Sequence, residues 1–217
     1  MIPEAIRKLI IPGDEVFYAL FNTGAISVVK MTRCLNDILL DIEPHSEKWT
    51  YSLQELKTYY GESRENYRQT VKRLSKVFIT PIDRVQVHQL SVDLHSIARS
   101  IYLVPRSVLW DVDYSADTYI QMFGQLLTKA SLELERMVDD IGSPKRNYVM
   151  KHSRELYILK REMEIAYDHA LQSLYQNTFN PAKFTGRLDT YNSLKDVGDY
   201  CRNAAHTAEG IVLTQVG

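Results

Sequence analysis

The sequence contains six histidines, and histidine is the side chain most often used for metal binding and for proton transfer near neutral pH. His88 and His95 are seven residues apart, which places them on one helix face but too far apart to bind one ion. Asp199, Arg202, Asn203 and His206 cluster on the last helix, so a weak mononuclear metal site there is one interpretation. Adventitious surface binding is the other, and the sequence leaves both open.

Signatures of the common catalytic and nucleotide-binding sites are missing from the sequence. None of the nine glycines forms GxGxxG or GxxxxGK[ST], and there is no GxSxG elbow and no HExxH pair. Cys34 and Cys201 lack the CxxC or Cys/His spacing of a metal or redox site. We therefore expect a protein that is not an enzyme and needs no cofactor, with a weakly bound divalent metal left open.

The charge balance and the hydropathy indicate a globular protein without an obvious polyanionic partner. The chain has 26 basic and 27 acidic residues, a net charge of −1 and 45% hydrophobic residues. This balance argues against nucleic-acid binding. No apolar run approaches the roughly 18 residues of a membrane-spanning helix, and the N-terminus lacks the pattern of a signal peptide. We expect a soluble protein in the cytoplasm, without a membrane span.

Apolar residues recur at alternating steps of three and four through most of the chain. The clearest run is Val87, Leu90, Leu94, Ile97, Ile101, Val104 and Val108. This is the period of helices that pack side by side in bundles, and no window shows the alternation of a strand. The sequence therefore predicts an all-α fold of six long helices.

Helix breaks divide the chain into these six helices. They fall at Pro12-Gly13-Asp14, Glu43-Pro44-His45-Ser46, Thr80-Pro81-Ile82-Asp83, Asp113-Tyr114-Ser115, Gly142-Ser143-Pro144 and Asn180-Pro181. Asp14 and Asp83 are predicted N-caps. The short connections predict antiparallel neighbours. We interpret residues 1–113 and 114–217 as two three-helix halves of one compact domain.

Three segments, spread over nearly the whole chain, resemble one protein family. They are Pro12-Gly13-Asp14-Glu15-Val16-Phe17, Phe78-Ile79-Thr80-Pro81-Ile82-Asp83-Arg84 and Ala208-Glu209-Gly210-Ile211-Val212-Leu213. The family is that of distant PhoU homologues encoded beside Pit-type phosphate transporters. The resemblance implies the six-helix PhoU-like fold and a cytoplasmic accessory role in phosphate uptake. It also implies a partner, the cytoplasmic face of a Pit-type transporter, which could place the protein at the periphery of the inner membrane.

Family members often carry Glu/Asp-x-x-x-Asp motifs that bind iron or other divalent metals. Carboxylates at i and i+4 share a helix face, so two adjacent helices supply four ligands. The resemblance places these positions at Tyr60, Arg64, His95, Arg99, Lys160, Glu164, Lys195 and Asp199. Among them only Glu164 and Asp199 are carboxylates, and a cation does not tolerate arginine or lysine as a ligand. We expect the multinuclear cluster to be absent, although a one-turn slip of the fifth helix would bring in Glu162 or Asp168.

In the second half, the replaced positions can be occupied by ion pairs. Lys160 with Glu164 and Lys195 with Asp199 could form a four-residue network in which ammonium groups take over the charge balance. The alternative is two exposed i,i+4 pairs, each contributing about 0.2–0.5 kcal/mol.

In the first half, no carboxylate is left at the family positions. Arg64, His95 and Arg99 could form a small anion site, conceivably for phosphate, because a guanidinium matches the geometry of oxyanions. The alternative is a solvated basic face that is neutralised by Glu62, Glu65 and Asp93.

Three functions stay open at this point. The first is a non-enzymatic cytoplasmic regulator of inorganic phosphate transport whose metal motifs have largely degenerated. The second is a divalent-metal-binding helical protein that retains one reduced site at Glu164 and Asp199. The third is a structural helical oligomer unrelated to phosphate.

Overall fold

The computed structural model describes residues 14–40, 46–77, 82–111, 114–143, 146–178 and 180–215. These ranges contain six α-helices, a short 3-10 turn at Arg146–Tyr148 and no strand. The helices are α1 (Asp14–Leu40), α2 (Glu47–Leu74), α3 (Arg84–Trp110), α4 (Thr118–Ile141), α5 (Val149–Asn177) and α6 (Pro181–Gln215). The predicted all-α fold of six long helices is confirmed. No helix in these ranges has the length and apolar character needed to cross a membrane.

The helices pack as two groups of three that share a central ring. Within the first group α1, α2 and α3 contact one another, and within the second α4, α5 and α6 do the same. Contacts between α1 and α4 and between α3 and α6 join the groups. The helices α1, α3, α6 and α4 thus form a closed ring, with α2 and α5 packed on its outside. The chain was predicted to divide into two halves between residues 113 and 114. Residues 112–113 lie outside the described ranges, so the division into halves stays a prediction.

The predicted apolar stripes form the core. Every residue of the Val87-to-Val108 stripe on α3 is at most 4% exposed. On α4 the equivalent residues are Ile120, Phe123, Leu127, Ala130, Leu134, Met137 and Ile141, all of them buried. The buried side chains of all six helices belong to one continuous apolar cluster. Burial of apolar surface at about 25 cal/mol per Å² is therefore the main force that fixes how α2 faces α3 and how α5 faces α6.

The connection between α2 and α3 is held by its two charged residues. Asp83 is the N-cap of α3, as predicted, and its carboxylate accepts hydrogen bonds from the backbone N–H groups of Val85 and Gln86. The Arg84 guanidinium donates to the carbonyl oxygens of Leu74 (2.6 Å) and Val77 at the end of α2. Asp83 thus pairs free N–H groups at the start of α3, and Arg84 pairs free carbonyl groups at the end of α2. These hydrogen bonds restrain the connection between the two helices.

Other helix starts differ in detail from the prediction. Asp14, predicted as an N-cap, is the first residue of α1 itself, and its side chain lies outside the described part of the chain. The α4 helix is capped by Asp117, whose carboxylate accepts from the Ile120 N–H at 2.9 Å. Asn180 accepts from two N–H groups of the first turn of α6, in which Pro181 is the first residue, as the Asn180-Pro181 break predicts.

Candidate functional site

Four aromatic rings form a continuous stack between α2 and α3. The His95 ring lies 5.1 Å from the Tyr67 ring and 5.9 Å from the Tyr60 ring, measured between centroids. The Tyr60 ring in turn lies 4.4 Å from that of Tyr102, and each interplanar angle is 10°. The order Tyr67, His95, Tyr60, Tyr102 alternates between the two helices. The structure therefore brings two of the family positions, Tyr60 and His95, into direct contact in what we call the ring stack.

The two arginines at the remaining family positions of this half lie beside the ring stack. Arg64 is one turn from both Tyr60 and Tyr67 on α2, and Arg99 is one turn from both His95 and Tyr102 on α3. Both arginines are exposed. Burial lowers the pKa of the His95 imidazole, and the nearby positive charges of Arg64 and Arg99 lower that pKa further. The four family positions Tyr60, Arg64, His95 and Arg99 are thus one cluster.

None of the three acidic residues expected to neutralise this cluster, Glu62, Glu65 and Asp93, pairs with Arg64 or Arg99 in the described part of the chain. Glu65 pairs with Arg68 at 3.2 Å. Asp93 is buried and accepts hydrogen bonds from Gln89 at 2.9 Å and from Thr207 on α6 at 2.5 Å. Glu62 forms no ion pair within the described part of the chain, and there neither Arg64 nor Arg99 has a carboxylate oxygen within 4.0 Å. The alternative of a solvated basic face neutralised by Glu62, Glu65 and Asp93 stays open, but it has no direct ion pair in its support.

A small polar cavity lies behind the ring stack, between α1, α2 and α3. Its volume is about 10 Å³, and its lining includes Ser63, Asn66, Ser91 and His95. Ser63 and Ser91 are buried, and His95 Nδ1 is fully buried with no hydrogen-bond partner among the described protein atoms. A cavity of this size and polarity suits a single water molecule with several polar neighbours.

In the second half, the four family positions form a chain of ion pairs. The Lys160 ammonium contacts a carboxylate oxygen of Glu164 and lies 3.3 Å from Oδ1 of Asp199. Lys195 Nζ lies 2.9 Å from Oδ2 of the same aspartate. Lys160 therefore joins α5 to α6, so this is a network between helices and not two separate pairs along each helix. The Lys160 side chain is only 18% exposed, which strengthens its contacts relative to those of a surface lysine.

The two lysines of this network lower the pKa of Asp199. Burial acts to raise the pKa of the Asp199 carboxyl, but the ammonium groups of Lys195 and Lys160 outweigh burial and leave the pKa below its ordinary value. For Lys195, the hydrogen bond to Asp199 raises the pKa despite partial burial. The network thus contains two positive and two negative charges and is neutral as a unit.

The chemistry of neither cluster fits the divalent-metal centre that the family resemblance implies. In the first half the side chains are a phenol, an imidazole and two guanidinium groups. In the second half, Glu164 and Asp199 share the Lys160 ammonium, which occupies the place of a cation between them. Glu162 and Asp168, the residues that a one-turn slip would bring in, are exposed. Across the described ranges, no group of three or more His, Cys, Asp and Glu side chains is arranged to hold a metal.

The histidines considered for metal binding lie apart. His88 is exposed, and its ring is 6.4 Å from that of Tyr67. His206 is exposed on α6, with Nδ1 3.8 Å from Glu209. The Asp199 carboxylate is engaged by two lysines, and no contact joins it to His206 among the described residues.

Sequence analysis missed a histidine on α5 that bridges two carboxylates of α4. His152 Nδ1 lies 2.7 Å from Glu133 Oε2, and its Nε2 lies 3.3 Å from Asp140 Oδ2. All three side chains are less than 20% exposed. Glu133 and Asp140 are seven residues apart on one face of α4, a spacing that could have suggested a shared partner. Because the carboxylates contact opposite ring nitrogens, they do not converge on a common ion.

Sequence analysis also missed a buried network where α3 ends and α4 begins. Arg187 of α6 is 5% exposed, and its Nε lies 2.8 Å from Oδ2 of Asp111. Its Nη1 donates to the Ser115 carbonyl oxygen at 2.8 Å and lies 3.2 Å from Asp117. The Tyr191 hydroxyl donates to the same Asp117 carboxylate at 2.5 Å. Nothing in residue spacing signals this network, because its members are separated by about a third of the chain.

The chain is similar in sequence or in fold to three known proteins. No family model matches the chain. The UPF0111 protein YkaA of Bacillus subtilis (strain 168) is 21% identical over 159 residues, which are 73% of this chain and 77% of that protein. A PhoU-like protein from Shewanella oneidensis MR-1 superposes with a TM-score of 0.75 at 13% identity, covering 91% of this chain and 99% of that chain. PhoU from Pseudomonas aeruginosa gives 0.67 at 13% identity, with 92% and 97% covered. The resemblance to PhoU-like proteins is therefore confirmed, and this chain adopts their fold.

Proposed function

We propose that this protein is a non-enzymatic regulator of inorganic phosphate transport that acts in the cytoplasm, at the cytoplasmic face of a Pit-type transporter. The observation that carries the proposal is the PhoU-like fold, which extends over 91% of the chain. The helix-break residues that resemble the Pit-associated family support the same role.

The helical framework suits a protein that acts by presenting a fixed surface. A continuous apolar cluster joins the helices, while α2 and α5 lie outside the central ring, where a partner could contact them. Family metals would give such a surface its local charge. In this chain Lys160 and the ring stack occupy the equivalent positions, so the surface would keep its charge and shape without metal.

The experiment is a deletion of the gene followed by measurement of radiolabelled phosphate uptake and of a phosphate-starvation reporter. We expect both to change and to be restored by the wild-type gene. A tagged protein should also retain the transporter when purified from detergent-solubilised membranes. The deletion strain that carries an empty vector serves as the control. Unchanged uptake and an unchanged reporter in the deletion strain would refute the proposal and favour a structural oligomer.

The alternative of a reduced metal site at Glu164 and Asp199 requires a metal to displace Lys160. Elemental analysis of protein purified without a histidine tag tests it directly. We expect no stoichiometric iron, zinc or manganese in the wild type, because an ammonium already compensates both carboxylates. One metal per chain, lost in Glu164→Gln and in Asp199→Asn, would establish the metal-binding function instead.

A further inference from the structure

We propose that Arg64, Arg99 and His95 form a binding site for a small tetrahedral oxyanion of the phosphate class, built against the ring stack. The ligand chemistry is a dianionic phosphoryl group, supplied either by inorganic phosphate or by a small phosphate ester. This inference goes beyond the proposed function and does not depend on it, because it concerns what the purified protein binds and not which transporter it contacts.

Helix register places Arg64 and Arg99 beside the same part of the ring stack, and both act electrostatically on His95. The ring stack pairs Tyr67 with His95 at one end and Tyr60 with Tyr102 at the other. Arg64 lies midway between the two tyrosines of α2, and Arg99 lies midway between the two rings of α3. In an antiparallel pair of helices, both arginines therefore lie alongside the middle of the stack.

The local charge of this cluster is uncompensated. Within the described ranges no carboxylate lies within 4.0 Å of either arginine. The neighbouring Arg68 differs, since it is paired with Glu65 at 3.2 Å. Two exposed guanidinium groups that have no carboxylate partner can donate their planar N–H groups to an oxyanion without first giving up an ion pair.

The ring stack gives the site a fixed wall. Offset or parallel aromatic pairs each contribute about 0.5–1.5 kcal/mol beyond the burial of their area, so three successive contacts restrain α2 against α3. His95 lies inside the stack and lines the small polar cavity, and its Nδ1 atom is buried with no protein partner in the described part. A hydroxyl or water in the cavity that donates to Nδ1 would hold the proton on Nε2, where it can be donated to a ligand.

His95 also provides a sensor for occupancy. Burial and then the two arginines hold the pKa of His95 below its ordinary value. An anion bound between the guanidinium groups would cancel part of their repulsion, so binding should raise the pKa of His95. By linkage, binding of a dianion that does not itself titrate, such as sulfate, should tighten as the pH falls through that pKa.

The same family positions in the second half provide an internal comparison. There the two positive charges are balanced by Glu164 and Asp199 within one network. Two clusters at equivalent positions of the two helix pairs thus differ in net charge by two, and only the first has charge left for a ligand.

The test is isothermal titration of the purified full-length chain with inorganic phosphate and, in a separate arm, with glycerol phosphate, at constant ionic strength set with chloride. The variants are Arg64→Ala, Arg99→Ala and, as the matched control, Arg68→Ala, which removes the same charge one turn along the same exposed face. We expect each of the first two to weaken binding by tenfold or more, about 1.4 kcal/mol, and the control to weaken it by less than about threefold. The arm that binds more tightly identifies the source of the phosphoryl group.

A second measurement follows the His95 ring by NMR, with His95→Gln used to assign its signals. Sulfate is the probe here because it stays a dianion between about pH 5 and pH 8, where histidine titrates. We expect sulfate to raise the pKa of His95 in the wild type and to leave it unchanged in the Arg64→Ala/Arg99→Ala double variant. Absence of binding in both titration arms, equal binding by all variants, or a His95 pKa that does not respond to sulfate would each overturn the proposal.

Discussion

Replacing Arg187 with alanine tests the buried network that fastens the end of α3 to the start of α4. The Arg187 side chain is 6% exposed, and that of its partner Asp111 is 0% exposed. The substitution removes the 2.8 Å ion pair with Asp111, the hydrogen bond to the Ser115 carbonyl oxygen and the contact with Asp117. It also leaves the Asp111 carboxylate in a buried position without the guanidinium that balances its charge.

The size of the effect follows from burial. Removing one partner of a buried ion pair costs about 3–5 kcal/mol, because the remaining charge has lost its compensation. In a chain of this length each kcal/mol lowers the melting temperature by about 2–4 °C, so the expected decrease is roughly 6–20 °C. Urea denaturation monitored by circular dichroism gives the free energy of unfolding, and differential scanning calorimetry gives the melting temperature.

Two further variants separate the ion pair from the loss of side-chain volume. Arg187→Met keeps most of the apolar stem, so its cost should approach that of alanine if charge dominates. Arg68→Ala removes an arginine whose side chain is 76% exposed and should change the free energy of unfolding by less than about 1 kcal/mol. If Arg187→Ala costs no more than Arg68→Ala, the network contributes nothing measurable and the reasoning is refuted.

Two other predictions concern Gly186, where α6 lies close to the backbone after α3, and Asp199, which pairs with two lysines. In Gly186→Ala the new Cβ would lie 2.6 Å from the Cα of Asp111, which is backbone and cannot move aside, so we expect about 1–3 kcal/mol of destabilisation in urea melts. The control Gly61→Ala has open space around its Cβ and should instead stabilise by about 0.5–1 kcal/mol; equal effects would contradict this. Asp199→Asn should cost about 0.2–1 kcal/mol at neutral pH. Because the pKa of Asp199 is lowered in the folded state, that cost should be fully present above about pH 4 and vanish as the pH falls through the folded pKa; a cost that persists in acid would contradict it.

The helices could be predicted because each one carries an apolar stripe that lies in the core. In α3, apolar residues at steps of three and four coincide with the buried face, so periodicity alone defines both the helix and its orientation. Helix breaks were predictable where a local rule operates, as at Asp83, which caps the helix that follows it. Before α4 a break was predicted at residues 113–115, but the residue that caps the helix, Asp117, was not identified from the sequence.

Contacts between distant charged residues could not be predicted in this way. The pairing of Arg187 with Asp111 depends on how α6 crosses the end of α3, and no local spacing encodes that crossing. Asp93 illustrates the same limit, since as a charged residue on α3 it was expected on the basic face. It is buried and bonded to Thr207, because α3 packs against α6 on that side.

From the two clusters at the predicted family positions we infer how side chains could take over a metal-dependent contact between helices. A divalent cation shared by carboxylates of adjacent helices neutralises their repulsion and holds the helices at a fixed distance. In the second half Lys160 does both, because its single ammonium lies between Glu164 of its own helix and Asp199 of the next. In the first half no carboxylates remain to be neutralised, and the ring stack supplies the contact between α2 and α3. Aromatic stacking needs no compensating charge, so Arg64 and Arg99 need no carboxylate partner, and for this reason the anion site is proposed at the first cluster and not at the second.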